Sequence, residues 1–158
     1  QLSSYQPVGA RLKLEKGPNG YHILNDVYNA NPLSMLASVQ TLSAVNMSGR
    51  KMALLGDMLE MGTHEIEEHM SLLKDLPPLS LLGLVGPLFT QAAKILVEQA
   101  PSSIRSKCIT APTARELVER MNKQGVFPLT KQDIVLFKGS RGIKMEQAIS
   151  AIKDLHTT

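Results

Sequence analysis

The sequence predicts an α/β fold: a Rossmann-like, mostly parallel sheet with helices on both faces, preceded by a β-hairpin. Three observations lead there. Short segments dominated by apolar residues, Met52 to Leu55, Leu79 to Val85 and Asp133 to Phe137, look like strands buried on both faces. Strand then helix recurs five times along the chain, the signature of a parallel sheet with crossover helices. Ahead of the first such unit, Gly17-Pro18-Asn19-Gly20 supplies turn chemistry between two extended patterns.

In order, Arg11 to Glu15 alternates apolar and polar residues, and Tyr21 to Leu24 resumes an extended pattern that delivers Asp26. Asn31 can cap a helix and Pro32 fits its first position, where a missing N–H is no loss, so a helix is expected over about Leu33 to Val45. It stops near Asn46 and Gly49. After the strand Met52 to Leu55 and the polar turn Gly56 to Gly62, a second helix is expected to carry Ile66, Met70 and Leu73 inward. Its Glu65, Glu67 and Glu68 face outward, early in the helix where the dipole favours negative charge. Pro77-Pro78 breaks the chain before the strand Leu79 to Val85. A helix Phe89 to Gln99, a short strand Lys107 to Thr110 and a helix Ala114 to Lys123 follow. The strand Asp133 to Phe137, the turn Lys138 to Gly142 and the helix Met145 to Leu155 complete the chain.

Composition narrows the class. A chain of 158 residues fits one domain and buries roughly two-thirds of its unfolded surface without metals or disulfides. Only 4% of residues are aromatic and there is no Trp, so the core is aliphatic. The 17 Lys and Arg against 14 Asp and Glu are scattered, so the net charge of +3 describes solubility and no nucleic-acid surface is assigned. The single cysteine, Cys108, fits a reducing compartment and reads as an inert thiol. No apolar run approaches the ~20 residues of a membrane span. The start Gln1-Leu2-Ser3-Ser4 is neither a signal peptide nor an initiator methionine, so the chain reads as a piece of something longer.

Right-handed crossovers place the loops after Leu24, Leu55, Val85 and Phe137 on one rim of the sheet, where open α/β sheets put ligands. In the first loop, Asp26, Tyr28 and Asn29 exceed what a turn needs for capping. In the last, Lys138 and Arg141 flank Gly139 and Ser140; with Ser140 capping the final helix, these cations would make a seat for a carboxylate or phosphate. No G-x-x-x-x-G-K-[ST] phosphate loop occurs, and the first strand-to-helix turn lacks G-x-G-x-x-G. His64 and His69 are five apart rather than four, about 140° around a helix, and so do not share a metal.

Asn25-Asp26-Val27-Tyr28-Asn29-Ala30-Asn31-Pro32-Leu33-Ser34-Met35, then Leu55-Gly56-Asp57-Met58-Leu59-Glu60-Met61-Gly62, then Lys138-Gly139-Ser140-Arg141-Gly142 resemble, in order and spacing, the carboxyl-terminal domain of the Mur ligases. The resemblance spans essentially the whole chain and is closest to the branch that joins D-alanyl-D-alanine to UDP-N-acetylmuramoyl-tripeptide. It implies an ATP-dependent, amide-forming ligase of peptidoglycan synthesis. In that family a peptide carboxylate is phosphorylated by ATP and the incoming amine attacks the acyl phosphate. A central domain supplies the phosphate loop and most magnesium ligands, and an amino-terminal domain holds the UDP-sugar.

Residues 1–158 would then be one domain of a longer, monomeric, cytoplasmic enzyme, or a plastid one if the source is a plant or alga. The isolated domain would have no catalytic or metal-binding residue of its own. Carried over, Asp26, Tyr28, Asn29 and Asn31 form a nucleotide-facing loop, with Arg11, one residue late after Gly9, as the ribose-contacting arginine. Lys138, Ser140 and Arg141 form the acceptor-facing loop, with Asp57 and Glu60 beside the acceptor amine. Two readings from other classes stand beside this one. A receiver-like domain would use Asp57 as phosphoacceptor; a plain interaction module would leave the cations at Lys138 and Arg141 unpaired.

Overall fold

The computed structural model describes residues 12–157. Strands β1 (Lys13–Lys16) and β2 (His22–Asp26) form the expected antiparallel hairpin, with Lys13 opposite Asn25 and Lys16 opposite His22. Next come α1 (Pro32–Ala44), β3 (Lys51–Gly56), α2 (Glu65–Asp75), β4 (Leu81–Val85) and α3 (Pro87–Gln99). Then β5 (Cys108–Ala111), α4 (Ala114–Lys123), β6 (Ile134–Lys138) and α5 (Glu146–Leu155) complete the chain. The six strands order as β1-β2-β6-β3-β4-β5, all pairs beyond the hairpin parallel.

Alternation along the strands divides the core in two, because successive side chains point to opposite faces. Met52 and Leu54 join Ile23, Val135 and Phe137 beneath α4 and α5, while Ala53 and Leu55 join Leu24, Ile134 and Leu136 beneath α1, α2 and α3. Strands buried on both sides therefore read as unbroken apolar runs, which is how β3, β4 and β6 announced themselves.

Two local expectations change. Helix α2 buries His69, Leu72 and Leu73, with Ile66 and Met70 only partly covered. It is wedged between α1 and α3, and that lateral packing rotates its buried stripe in a way apolar spacing does not register. The last helix begins at Glu146, after a short 3-10 turn Arg141–Ile143, and has no side-chain cap. Ser140 is thus separated from it.

The topology fixes where a ligand can sit. β6 lies between β2 and β3, yet the helices after β2 and β3 pack on one face and the helix after β6 on the other. Loops diverge at that point and open a crevice at the strands' carboxyl ends.

Candidate functional site

Three loops meet at the crevice: Asp26 to Asn31 after β2, Asp57 to Gly62 after β3, and Gly139 to Gly142 after β6. Their approach requires glycine on β6's loop. A Cβ on Gly139 would come within 2.9 Å of Gly56 Cα and 2.8 Å of the Met145 side chain.

The first loop is held from below. Asp26 and Lys138 are register partners at the ends of β2 and β6, and Lys138 Nζ donates to Asp26 Oδ2 at 2.8 Å and to the Asn29 carbonyl at 3.1 Å. Ser38 Oγ, from α1, donates to the same carboxylate oxygen at 2.9 Å. Both ionic partners are buried, Lys138 at 3% exposure. Asn31 caps α1 as expected: its Oδ1 accepts the Ser34 N–H at 2.9 Å, and Ser34 Oγ accepts the Asn31 N–H. Asn29 Oδ1 accepts the adjacent Ala30 N–H.

The second loop is pinned residue by residue. Asp57 is wholly buried, and its two carboxylate oxygens accept the Leu88 and Phe89 N–H groups at 2.9 and 2.8 Å, capping α3. Burial raises its pKa above 3.8, and the two backbone N–H groups pull it part of the way back. The Met58 N–H donates to His69 Nε2 and the Leu59 N–H to Ser140 Oγ. Glu60 then takes a left-handed backbone, φ 62°.

In the third loop the Arg141 guanidinium lies 4.7 Å from the centroid of the Tyr28 ring, a cation–π contact that joins it to the first loop. A cleft of about 240 Å³ opens among Asn29, Leu59, Glu60, Ser140, Arg141 and Gly142.

Of the residues singled out in the sequence, Asn29, Glu60, Ser140 and Arg141 line this cleft and Tyr28 contacts its arginine. The others do something else. Lys138 is not an open cation: Asp26 neutralises it inside the protein, which also removes the objection that an interaction module would leave it unpaired. Asp57 is a helix cap with both oxygens engaged, closed to a phosphoryl donor and to an amine alike, so the receiver reading fails on geometry. Ser140 accepts from Leu59 instead of capping the final helix. Arg11 lies outside the described residues. Sequence reasoning missed Leu59 as a lining residue, although it stands inside the second motif, and missed the buried supports Ser38 and His69.

A larger groove of about 590 Å³ runs between α3 and the edge strand β5, beside Lys94, Val97 and Cys108. It lies away from the three loops, and burial pushes the Cys108 thiol up to about 11, leaving it protonated and unreactive at neutral pH. Among the described residues no group of three or more His, Cys, Asp or Glu could hold a metal ion, and no helix is long and apolar enough to cross a membrane.

The family profile described as "Mur ligase, glutamate ligase domain" matches residues 10–141. UDP-N-acetylmuramoyl-tripeptide–D-alanyl-D-alanine ligase of Bacillus subtilis is 33% identical over 98% of this chain and 32% of its own length. The enzyme of that name in Haemophilus influenzae is 28% identical over 94% of this chain and 31% of its own. The solved structure of MurF from Acinetobacter baumannii superposes with a TM-score of 0.74 at 31% identity, over 97% of this chain and 32% of that one. The MurF ligase from Thermotoga maritima in complex with ADP gives 0.71 at 25% identity, again over 97% and 32%. The chain thus spans about a third of the length of these relatives.

Proposed function

The chain belongs to the Mur ligase family, and from that membership we propose that residues 1–158 are the carboxyl-terminal domain of an ATP-dependent ligase that joins D-alanyl-D-alanine to UDP-N-acetylmuramoyl-tripeptide. The supporting observation is the pairing of relatives of that name along nearly the whole chain with a cleft built from the motif loops. In this reading the enzyme is a cytoplasmic monomer whose central and amino-terminal domains are separate from residues 1–158.

The cleft suits one wall of such an active site. Arg141 is exposed and carries the fork geometry that holds a carboxylate through two parallel bonds, as the end of D-alanyl-D-alanine requires. Glu60 faces the same space with the opposite charge, suited to the acceptor's amine. On the nucleotide side stand Tyr28, 47% exposed with Arg141 over its ring, and Asn29, whose amide nitrogen its own turn leaves unused. ATP, when bound, supplies the phosphoryl group that activates the tripeptide's carboxylate; what this chain contributes is orientation of the acceptor and closure over the base and ribose. Magnesium would be held by residues of the central domain. Asp26, Asn31, Lys138 and Asp57 act by shaping the loops.

The test is Arg141 in the full-length ligase. Losing a charge-assisted pair costs roughly 2–3 kcal/mol, about thirty- to a hundredfold in affinity. Arg141→Ala and Arg141→Lys should both raise the KM for D-alanyl-D-alanine at least about tenfold and leave that for ATP within about threefold, since lysine cannot restore the fork. An acceptor amidated at its terminal carboxylate should be poor for the wild type and lose little more in the variants. If the amide serves as well as the acid, the loop after β6 serves the nucleotide instead.

A further inference from the structure

We propose that His69 is a positioning residue of the cleft. From α2, it anchors the loop after β3 so that Leu59 and Glu60 stand across from Arg141. Its value for the acceptor rests on the function proposed above; its hold on the loop does not.

The ring is wholly buried, and Nε2 accepts the Met58 N–H at 2.9 Å. Acceptance needs a lone pair, so the imidazole is neutral and its proton sits on Nδ1, directed at the Glu65 carbonyl one turn back. Phe89 packs edge-on at 4.5 Å between centroids and fixes the ring plane. Three consecutive residues are therefore tied to three different elements. The Asp57 carboxylate caps α3, the Met58 N–H reaches α2, and the Leu59 N–H donates to Ser140 Oγ at 2.8 Å, while the Ser140 N–H returns to the Asp57 carbonyl at 3.2 Å.

Glu60 comes next, and its φ of 62° is a conformation that residues with a side chain rarely adopt and that the surroundings must hold in place. The anchors at Met58 and Leu59 are what impose it. Without the acceptor on His69, the Met58 N–H is left unpaired in the core, and the loop gains reason to rotate toward an ordinary backbone. That would carry Leu59 and Glu60 out of line with Arg141. A histidine that merely filled the core would have no such effect on the cleft.

The experiment compares His69→Leu, which keeps bulk and removes the acceptor, with Leu72→Ala, which weakens the same helix and removes no side-chain hydrogen bond to the loop. In the full-length ligase, His69→Leu should raise the KM for D-alanyl-D-alanine about tenfold or more, as misplacement of a positioning loop does, with that for ATP within about twofold. Leu72→Ala should lower the melting temperature and move neither constant. In heteronuclear spectra of the chain itself, the amides of Met58 to Gly62 should shift in His69→Leu and hold in Leu72→Ala, and the wild-type ring should report the Nδ1–H tautomer. If those amides shift but the wild-type ligase never uses the dipeptide, the functional reading fails and the positioning role stands. If the amides stay in place, or both variants raise the dipeptide KM alike, the positioning role is overturned. Should His69→Leu fail to fold, the wild-type ring decides: a protonated ring or an Nε2–H tautomer at neutral pH overturns the anchor.

Discussion

Replacing Lys138 by methionine should be among the most destabilising single changes at the rim of the sheet. The ammonium is 3% exposed and makes two hydrogen bonds, to Asp26 Oδ2 at 2.8 Å and to the Asn29 carbonyl at 3.1 Å. Methionine fills nearly the same volume, so packing is kept and the charge alone is lost. Asp26 would then sit in the interior without its counter-charge, with Ser38 Oγ the one side-chain donor left to it among the described residues. Removing one partner of a buried pair costs about 3–5 kcal/mol, and the surviving Ser38 bond argues for about 3. With a urea m-value of about 2 kcal/mol per molar, the unfolding midpoint followed by circular dichroism should fall by about 1.5 M. The pair also predicts its own rescue. Asp26→Asn alone should be costly, because it strips the ammonium of its counter-charge, yet in the double variant it should recover at least about half of the Lys138→Met loss, since no buried charge is then unpaired. A loss below about 1 kcal/mol, or strictly additive effects, would show that Lys138 reaches solvent and is not the strut between β2 and β6.

Asp57→Asn should cost about 1–3 kcal/mol, because one amide edge becomes a donor facing the Leu88 or Phe89 N–H; at this chain length that is a fall of several degrees in a thermal melt. Asp133 predicts acid sensitivity. Desolvation alone would raise its pKa, but hydrogen bonds from the Arg50 side chain and backbone and from the Thr130 N–H outweigh it, so the carboxyl sits below 3.8. A depressed carboxylate contributes stability that is present above the ordinary value and lost as pH falls from there through the folded value, so Asp133→Asn should flatten the stability profile in that window. Asp57, with its raised pKa, has the opposite sign and should not add to that acid loss. The isolated chain should release no phosphate in the complete ligase assay. It should bind ATP with a dissociation constant on the order of a millimolar by calorimetry, about 4 kcal/mol, because a phosphate cradle is missing from its motifs.

The sequence by itself determined the elements and the rim on which the site would lie. Strands buried on both faces must be continuous apolar runs, a capping asparagine before proline must open a helix, and Gly17 to Gly20 must turn, so β3, β4, β6, α1 and the hairpin were legible from neighbours a few residues apart. Arg141 was legible as a candidate from its polar turn at a strand's carboxyl end and Glu60 from the resemblance of its motif, and both line the cleft. What no local pattern carried was the partner of each polar group. Lys138 meets Asp26 across 112 residues only because β6 inserts beside β2, and Asp57 meets the start of α3 only because β3 and β4 are adjacent and parallel. His69 reaches Met58 only because α2 is rotated by its neighbours to bury that face. A buried polar group must find its complement somewhere, and the sequence states the need; strand order and helix phase, which are set by packing of the whole chain, decide which of these residues is spent on the fold and which is left facing the cleft.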